Sequence, residues 1–330
     1  MNDRAISILE NYDFVVTKTY KTRGAFVCET DRGLKILKEY QAPVSKLGLM
    51  DVLLQGVAKN SQVFVDTLVK DKEDKFISYD RDGMGYVVKD YYEGRECAPK
   101  EEADLKYAMR ALALLHEGLM LPDATITEEL HRYDLEEDVV RRNKGLKKIR
   151  AFIRTRGRKT EFELALLDAY TLFLNQAVRA EERIRSEDFT SFYESVERRK
   201  QFAHGDYQYH NILFGKEQAA IINFEKCQWD SRVRDVSLFL RKTLEKAEWD
   251  IDLGCSLLRE YESVNPLNES EKRQLFYRLA YPEKFRKIAN FYYNSNKAFL
   301  SNQYLSKLQN VLRLEQSKNR FLCKVFDDEI

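Results

Sequence analysis

The chain has few cysteines, and none of them are paired at the spacing of a metal site. Five cysteines are spread through 330 residues, without a C-x-x-C motif or paired Cys/His ligands: Cys28, Cys97, Cys227, Cys255 and Cys323. This pattern argues against a zinc site and predicts reduced thiols that lie mostly in the core. The chain also lacks internal repeats and low-complexity tracts.

Neither an excess of charge nor a long apolar run is present. Lys and Arg number 55 against 54 Asp and Glu, so the net charge of +1 recommends neither nucleic acid nor an anionic membrane as a partner. No apolar run approaches the roughly 18 residues that cross a bilayer, and the opening MNDRAISILENYDF lacks the apolar core of a signal peptide. We therefore expect the protein to stay, at least at first, inside the cell that makes it.

What the chain does contain is material for a large core, because 44% of its residues are hydrophobic. Its length predicts two lobes. In the first hundred residues, β-branched and aromatic residues alternate with polar ones between turn signals, which predicts an antiparallel sheet. The strand-like runs are FVVTKTYK from Phe14, AFVCET from Ala25, LKILKEY from Leu34, QVFVDTLV and MGYVVKDYY. One helix, with Leu49, Leu53 and Val57 on one face, is expected between Pro43 and Asn60.

From about Lys100 onward the apolar period changes to that of a helix. Two stripes carry it, one of Leu105, Met109, Leu112 and Leu115 and one of Leu167, Tyr170, Leu174 and Ala177. The change near Gly94 predicts a small antiparallel-sheet lobe with one helix over residues 1–94 and a large, mostly helical lobe over 95–330. The predicted fold class is α+β.

Carboxylate and amide side chains lie close together in the sequence between His204 and Glu225. In HGDYQYHNILF, Asp206 precedes Asn211 by five residues, and a second apolar run then ends in INFE. Phosphoryl transfer requires a bound nucleotide, magnesium on its phosphates, and an acid that orients the acceptor hydroxyl. Because Mg²⁺ prefers carboxylate oxygens with some amide oxygens, this layout predicts a phosphotransferase site. The alternative for His204 and Asp206 is a turn held by an Asx-type hydrogen bond.

The pattern H-G-D-x-x-x-x-N, an apolar strand and I-(D)-F-(D/E) resembles the signature of the aminoglycoside phosphotransferase and choline kinase branch of the protein kinase-like fold. The resemblance implies a bilobal fold, ATP and Mg²⁺ as cofactors, Asp206 as catalytic base and Asn211 as a metal ligand. Asn223 stands where the family has Asp, which predicts weaker metal binding because an amide brings no charge. Glu225 lies two residues on, on the same face of an extended segment, and is expected to supply the missing carboxylate.

The same resemblance implies a nucleotide site in the first lobe. In LKILKEY, Ile36 and Lys38 share a strand face, so Ile36 is expected to pack on adenine and Lys38 to reach the phosphates, with Lys35 turned away. The alternative is that Lys38 is an ordinary exposed lysine. Gly24 is the one glycine of the phosphate-covering turn.

Backbone groups of Asp90, Tyr91 and Tyr92 are expected to pair with adenine at a hinge between the lobes. The predicted helix of the first lobe has no glutamate to orient Lys38, and Asp51 and Gln55 are the only substitutes.

His116 and Asp235 are predicted to be structural, with Asp235 supporting the catalytic loop. The acid-free run from Arg141 to Lys159 is interpreted as a solvated helix face with acidic neighbours, an anion-binding face being the alternative.

The C-terminal half resembles the CotS-like spore coat branch of the fold, in IINFEKCQWDSRVRDVSLFLRK, RLAYPEKFRKIANFYYNSNKAF and NRFLCKVF. This implies synthesis in the mother-cell cytoplasm and deposition in the spore coat, beside other coat proteins. Two functions stay open: an ATP-dependent kinase acting on a hydroxyl of a small molecule or coat component, and a catalytically impaired pseudokinase that serves coat assembly. Helices between Ala124 and Gln201 are expected to form the acceptor wall.

Overall fold

The computed structural model describes residues 3–22, 24–122, 130–216, 218–295 and 302–328. The chain divides into two compact units. Unit 1 consists of Met1–His131, Glu197–Asp235 and Glu260–Pro266, and unit 2 of Arg132–Val196, Val236–Arg259 and Leu267–Ile330. Position 94, where the sequence predicts a lobe boundary, lies inside unit 1. The strand-rich segment and the predicted catalytic segment therefore belong to the same unit.

The main sheet of unit 1 is antiparallel, as predicted. Its strand order is β1-β2-β3-β7-β5, and β6 pairs with β7. The strands are β1 (Val16–Thr22), β2 (Ala25–Thr30), β3 (Gly33–Glu39), β5 (Leu68–Val69), β6 (Ser78–Tyr79) and β7 (Gly85–Asp90). Strand β4 (Phe64–Val65) belongs to a second, smaller sheet. Helix α1 (Lys46–Asn60) follows β3, and its buried residues include Leu53 and Val57, whereas the predicted core residue Leu49 is only half-buried.

The two faces of this sheet have different roles. One face packs on the 3-10 helix Asp3–Asn11, and the buried cluster there consists of Ala5, Ile8, Leu9, Tyr12, Phe26, Cys28, Leu37, Tyr86 and Val88. Residues alternate between faces along a strand, so Ile36 and Lys38 of β3 lie on the other face. The register pairs Ile36 with Lys89 and Lys38 with Val87. This second face therefore carries two lysines.

A smaller sheet of unit 1 has the order β4-β11-β10-β8. Strands β10 (Ile212–Phe214) and β11 (Ala219–Ile221) form the predicted hairpin, and β8 is Arg95–Glu96. Strand β4 pairs with β11 in parallel, with Ile221 opposite Val65. Parallel strands end at the same edge of a sheet, so Asp66 after β4 comes close to Asn223 after β11. A third, two-stranded sheet pairs β9 (Phe202–Ala203) with β12 (Gln228–Trp229).

The rest of the chain is mostly helical, as predicted. The helices are α2 (Glu102–Gly118), α3 (Leu135–Thr155), α4 (Glu161–Ser186), α5 (Thr190–Arg199), α6 (Val233–Leu244), α7 (Ile251–Glu262), α8 (Glu269–Ala280), α9 (Glu283–Asn294) and α10 (Asn302–Phe326). The predicted stripe on α2 is buried throughout, and on α4 only Leu167 of the predicted stripe is half-buried. Within the described ranges, no helix is both long and apolar enough to span a membrane.

Unit 2 contains the basic run from Arg141 to Lys159. Arg141 pairs with Asp138 one turn earlier on α3, Arg142 bonds Glu283 at 3.1 Å, and Arg156 bonds Glu163 at 2.7 Å. The acidic neighbours predicted for this run are thus present. Cys28, Cys97 and Cys227 are buried, and all five cysteines are free thiols, in agreement with the sequence-based expectation.

The segment predicted to form the acceptor wall contains α3, α4 and α5. Ala124 lies outside the described residues, as do the others of 123–129.

Candidate active site

The loop between β9 and β10 is held by a buried carboxylate. Asp235, at the start of α6, accepts hydrogen bonds from the backbone amides of His204 at 2.6 Å and Gly205 at 2.8 Å. The ring of His116 lies 3.2 Å from the same carboxylate and 2.8 Å from the hydroxyl of Tyr261. Burial lowers the pKa of His116 and outweighs the nearby carboxylate of Asp235, which acts in the opposite direction. Asp235 thus holds the loop through its backbone amides, as expected for a supporting residue, and the ring of His116 contacts this carboxylate from the buried side.

Gly205 occupies a position that admits no side chain. Its φ is +77°, and a Cβ there would lie 2.2 Å from the carbonyl oxygen of Lys226. The loop therefore packs directly against the backbone that follows Glu225. The ring of His204 also connects the loop to this segment. Its Nε2 lies 3.0 Å from the carbonyl oxygen of Ile222, and its Nδ1 accepts a hydrogen bond from the backbone amide of Asp206 at 3.1 Å.

The carboxylate of Asp206 has a partner on each oxygen. Gln208 donates to Oδ1 at 2.6 Å, and the exposed ammonium of Lys226 lies 2.8 Å from Oδ2. Asn211 donates its amide to the backbone carbonyl of Asp206 at 2.8 Å. The predicted catalytic acid and the predicted amide ligand are thus joined in one loop.

A continuous chain of hydrogen bonds connects the main sheet to this loop. The ammonium of Lys38 lies 2.6 Å from Oδ1 of Asn223, and the amide nitrogen of Asn223 donates to Oδ1 of Asn211 at 2.8 Å. Asn223 has a left-handed backbone, with φ 71° and ψ 60°. Asparagine adopts this conformation more readily than most residues. Lys38, Asn211 and Asn223, predicted from positions far apart in the sequence, are brought together.

Glu225 completes the group, but it is shared by two lysines. Its Oε1 lies 3.3 Å from the ammonium of Lys38 and 3.0 Å from that of Lys89. Burial alone raises the pKa of Glu225, but Lys89 and Lys38 outweigh burial and lower this pKa to about 2. The ammonium of Lys89 also lies 3.0 Å from Oδ2 of Asp66. The same Oδ2 accepts a hydrogen bond from the backbone N–H of Asn223 at 3.0 Å.

Lys89 and Asp66 were missed by the sequence reasoning. Both are buried, with side chains 1% and 5% exposed. Burial by itself lowers the pKa of Lys89, but Asp66 and Glu225 together hold this pKa above its ordinary value. A signal was present in each case, because a lysine in YVVKD and an acid in FVDTLV interrupt apolar strands. A buried ionisable residue requires a partner of opposite charge, and the sequence did not show which residue that partner is.

The predicted nucleotide-binding residues lie on β3, in the β1–β2 turn and at the end of β7, all within unit 1. Ile36 is half-buried beside Lys89, and Gly24 forms the β1–β2 turn with φ +74°, its neighbour Arg23 lying outside the described residues. At the predicted hinge, the amide of Asp90 donates to Thr67 at 2.9 Å and that of Tyr91 to Leu34 at 3.0 Å. These two amides are engaged within the protein.

The third hinge residue, Tyr92, stacks its ring on Phe64 at 4.6 Å. The carboxylate of Asp90 bonds Lys35 at 2.5 Å, so Lys35 does point away from Lys38. Burial raises the pKa of Asp51, which is hydrogen-bonded to Gln55. The orienting contacts of Lys38 come from Asn223 and Glu225, and neither of the two α1 substitutes is among them in the described part of the chain.

As folded, the predicted metal ligands do not fit Mg²⁺. Glu225 is the only charged member of the set, and two ammonium groups already compensate it. The amide oxygens of Asn223 and Asn211 each accept a hydrogen bond. Oδ1 of Asp66 is buried without a hydrogen-bond partner, yet one oxygen is not a ligand set. Across the described ranges, no group of three or more His, Cys, Asp or Glu side chains is arranged to hold a metal ion.

Comparison with solved structures shows which fold this is. An aminoglycoside phosphotransferase from Alicyclobacillus acidocaldarius subsp. acidocaldarius DSM 446 matches with a TM-score of 0.82 at 18% identity, covering 98% of this chain and 95% of that one. Amicoumacin kinase hAmiN, in complex with AMP-PNP, Ca²⁺ and Ami, matches with a TM-score of 0.63 at 14% identity, covering 97% and 94%. The chain therefore has the kinase-like aminoglycoside phosphotransferase fold, as predicted.

Sequence comparison identifies the branch. Spore coat protein S of Bacillus subtilis (strain 168) is 35% identical over 99 residues, which span 29% of this chain and only 28% of that protein. Residues 6–325 match the family described as "Spore coat putative kinase YutH". Because that match covers nearly the whole chain, the chain belongs to this spore coat family of the kinase-like fold, which confirms the resemblance seen in its sequence.

Proposed function

We propose that the chain is a nucleotide-dependent phosphotransferase of the spore coat, which transfers the γ-phosphoryl group of ATP to a hydroxyl of a small molecule or of a coat component. The observation that carries this proposal is the convergence of Lys38, Asn211 and Glu225 beside the loop of Asp206. The solved amicoumacin kinase with its nucleotide analogue supports a nucleotide as the phosphoryl donor. The protein is made in the mother-cell cytoplasm and deposited in the coat.

In the proposed reaction, each of these residues has one role. The acceptor oxygen attacks the γ-phosphorus, the bond from this phosphorus to the bridging oxygen breaks, and ADP leaves. The hydroxyl proton passes to the carboxylate of Asp206, once the acceptor takes the place of Gln208 or Lys226. Lys38 contacts phosphate oxygens, Ile36 packs on the base, and backbone groups of Asp90, Tyr91 and Tyr92 adjoin adenine.

A second function is favoured by one specific residue. Asn223 brings no charge where related kinases have Asp, and its amide oxygen is held by Lys38 at 2.6 Å. A site closed in this way suits a protein that keeps the kinase shape for coat assembly and has lost catalysis. Its partners are then other coat proteins, with the nucleotide serving stability alone.

Turnover by the purified chain separates the two functions. ADP formation is measured with ATP and a panel of hydroxyl compounds, and then with spore coat extract. We expect the variant Asp206→Asn to lose roughly a hundredfold or more of the rate, the usual contribution of a positioned general base. Asp252→Asn, on the exposed start of α7, is the matched control. Equal rates in Asp206→Asn and the unaltered chain would leave only the assembly role.

A further inference from the structure

Two lysines converge on one carboxylate oxygen in the candidate site. The ammonium groups of Lys38 and Lys89 lie 3.3 Å and 3.0 Å from Oε1 of Glu225. Their surroundings differ, because the side chain of Lys89 is 1% exposed and that of Lys38 is 33% exposed. Lys89 is anchored a second time by Asp66 at 3.0 Å. Lys89 is thus a fixed, buried counter-ion of Glu225, whereas Lys38 is held by Asn223 and Glu225 with a third of its side chain exposed.

A divalent ion at this place would have to compete with both lysines. Mg²⁺ binding depends on carboxylate charge, and Glu225 is the only carboxylate among the predicted ligands. An ion approaching Oε1 meets two positive charges within contact distance of the same atom, and like charges repel. Removing Lys38 alone does not clear the site, because Lys89 is buried and held by Asp66 as well.

The amide groups reinforce this arrangement. Asn223 accepts from Lys38 at 2.6 Å and donates to Asn211 at 2.8 Å, and Asn211 in turn donates to the backbone of Asp206 at 2.8 Å. Each amide thus has both a donor and an acceptor satisfied within the protein. The set is complete as a hydrogen-bonded network without a cation other than the lysines.

We propose that this chain binds a nucleoside triphosphate without a divalent metal ion. Lys89 stays beside Glu225 and Asp66 when Lys38 leaves Glu225 and Asn223 to pair with phosphate oxygens. The positive charge next to Glu225 is then the buried ammonium of Lys89 on β7 and not a metal ion. This inference rests on the proposed function only in placing the nucleotide beside the same residues, and it holds whether or not a phosphoryl group is transferred.

The test is the affinity of the full chain for ATP, measured by titration calorimetry with EDTA and again with excess MgCl₂. We expect the two dissociation constants to differ by less than about tenfold, a small change for a site that does not use the metal. Binding that occurs only with MgCl₂ overturns this inference and leaves the proposed nucleotide site intact. Absence of binding under both conditions overturns the two together.

Two conservative variants sharpen the result. Glu225→Gln keeps the shape of the side chain and leaves the pair of Lys89 and Asp66 in place. We expect it to bind ATP in EDTA at least as tightly as the unaltered chain, since a negative charge facing the phosphates is gone. If Glu225 is instead a metal ligand, this variant loses about tenfold or more of its affinity for MgATP.

Lys89→Met removes the fixed counter-ion itself. We expect MnCl₂ alone to raise the melting temperature of this variant, because a cation then competes with Lys38 alone for Glu225, and to leave the unaltered chain unchanged. Lys318→Met is the matched control, since Lys318 is a buried lysine of unit 2 that bonds Glu315 at 3.3 Å. If Lys89→Met does not fold, the measurements on the unaltered chain and on Glu225→Gln still decide the question.

Discussion

The ammonium of Lys89 lies 3.0 Å from Oε1 of Glu225, although the two residues are 136 positions apart. The pair links β7 of the main sheet to the segment that follows β11. Asp66, at the end of β4, bonds the same lysine and also the backbone of Asn223. The buried pair of Lys89 and Asp66 therefore holds the INFE segment in position against the main sheet.

Restoring the carboxylate at position 223 should create a metal site. In Asn223→Asp, a second charged group faces Asn211 and Glu225, so we expect MgCl₂ to raise the melting temperature where it does not in the unaltered chain. At a hundredfold excess over the dissociation constant, the stabilisation should be about 3 kcal/mol. Any phosphotransferase rate should also rise.

The control for this variant is Asn294→Asp, an exposed position at the end of α9. A metal-induced shift in both variants would mean that added charge binds cations anywhere on the surface. Without a shift in Asn223→Asp, the lysines exclude the ion even from a site with two carboxylates.

Replacing Gly205 with alanine should displace the catalytic loop. A Cβ at this position meets the carbonyl oxygen of Lys226 at 2.2 Å, and φ is +77°. We expect a loss of roughly 3 kcal/mol or more in the free energy of unfolding, measured in urea, because strain and clash add. Phosphotransferase turnover should fall with it, since Asp206 follows Gly205 directly.

Gly83→Ala isolates the contribution of backbone conformation. Gly83 has φ +80°, and a Cβ there would have nothing within 4 Å. This variant should lose only about 1 kcal/mol. Equal losses in the two variants would show that the contact between Gly205 and Lys226 contributes nothing.

Acid should destabilise unit 2 through Glu283. Burial alone raises the pKa of Glu283, but Arg286, Arg142 and Arg241 outweigh it and lower this pKa from 4.5 to about 2. A carboxylate with a lowered pKa contributes stability that is fully present above pH 4.5 and is lost as the pH falls towards 2. The contribution is on the order of 3 kcal/mol.

Urea unfolding at pH 6 and at pH 3 measures this contribution. We expect Glu283→Gln to be less stable than the unaltered chain at pH 6 and to show a smaller loss on acidification. Glu269→Gln is the control, because the side chain of Glu269 is 88% exposed. An unchanged pH dependence in Glu283→Gln would assign the acid sensitivity to other carboxylates.

Loss of turnover in Asp206→Asn should occur without loss of nucleotide affinity. Asp206 contacts Gln208 and Lys226 and none of the residues assigned to the phosphates. Titration calorimetry with ATP should therefore give the same dissociation constant for this variant and the unaltered chain. A weaker constant would place Asp206 in nucleotide binding instead of proton transfer.

Much of the architecture was predictable because it depends on local periodicity. Alternation over FVVTKTYK, AFVCET and LKILKEY predicted β1 to β3, and the stripe from Leu105 to Leu115 predicted the buried face of α2. Leu49 and Leu167 were expected in the core and are half-buried, because each lies at the margin of its helix face. Periodicity defines a face, but neighbouring elements decide how far burial extends across it.

The sequence by itself determined the fold class, the family, the support of the loop by Asp235 and the opposite directions of Lys35 and Lys38. The fold class and the directions of the two lysines follow from apolar periodicity and strand alternation, which act within a few residues. The family and the supporting role of Asp235 were instead implied by a resemblance of motifs to a known family. Only the tertiary structure decided that Lys89 and Asp66 join Glu225 and that Asn223 bonds both Lys38 and Asn211. The physical reason is that such contacts depend on the register of β3 with β7 and on the parallel pairing of β4 with β11, neither of which is set by local spacing.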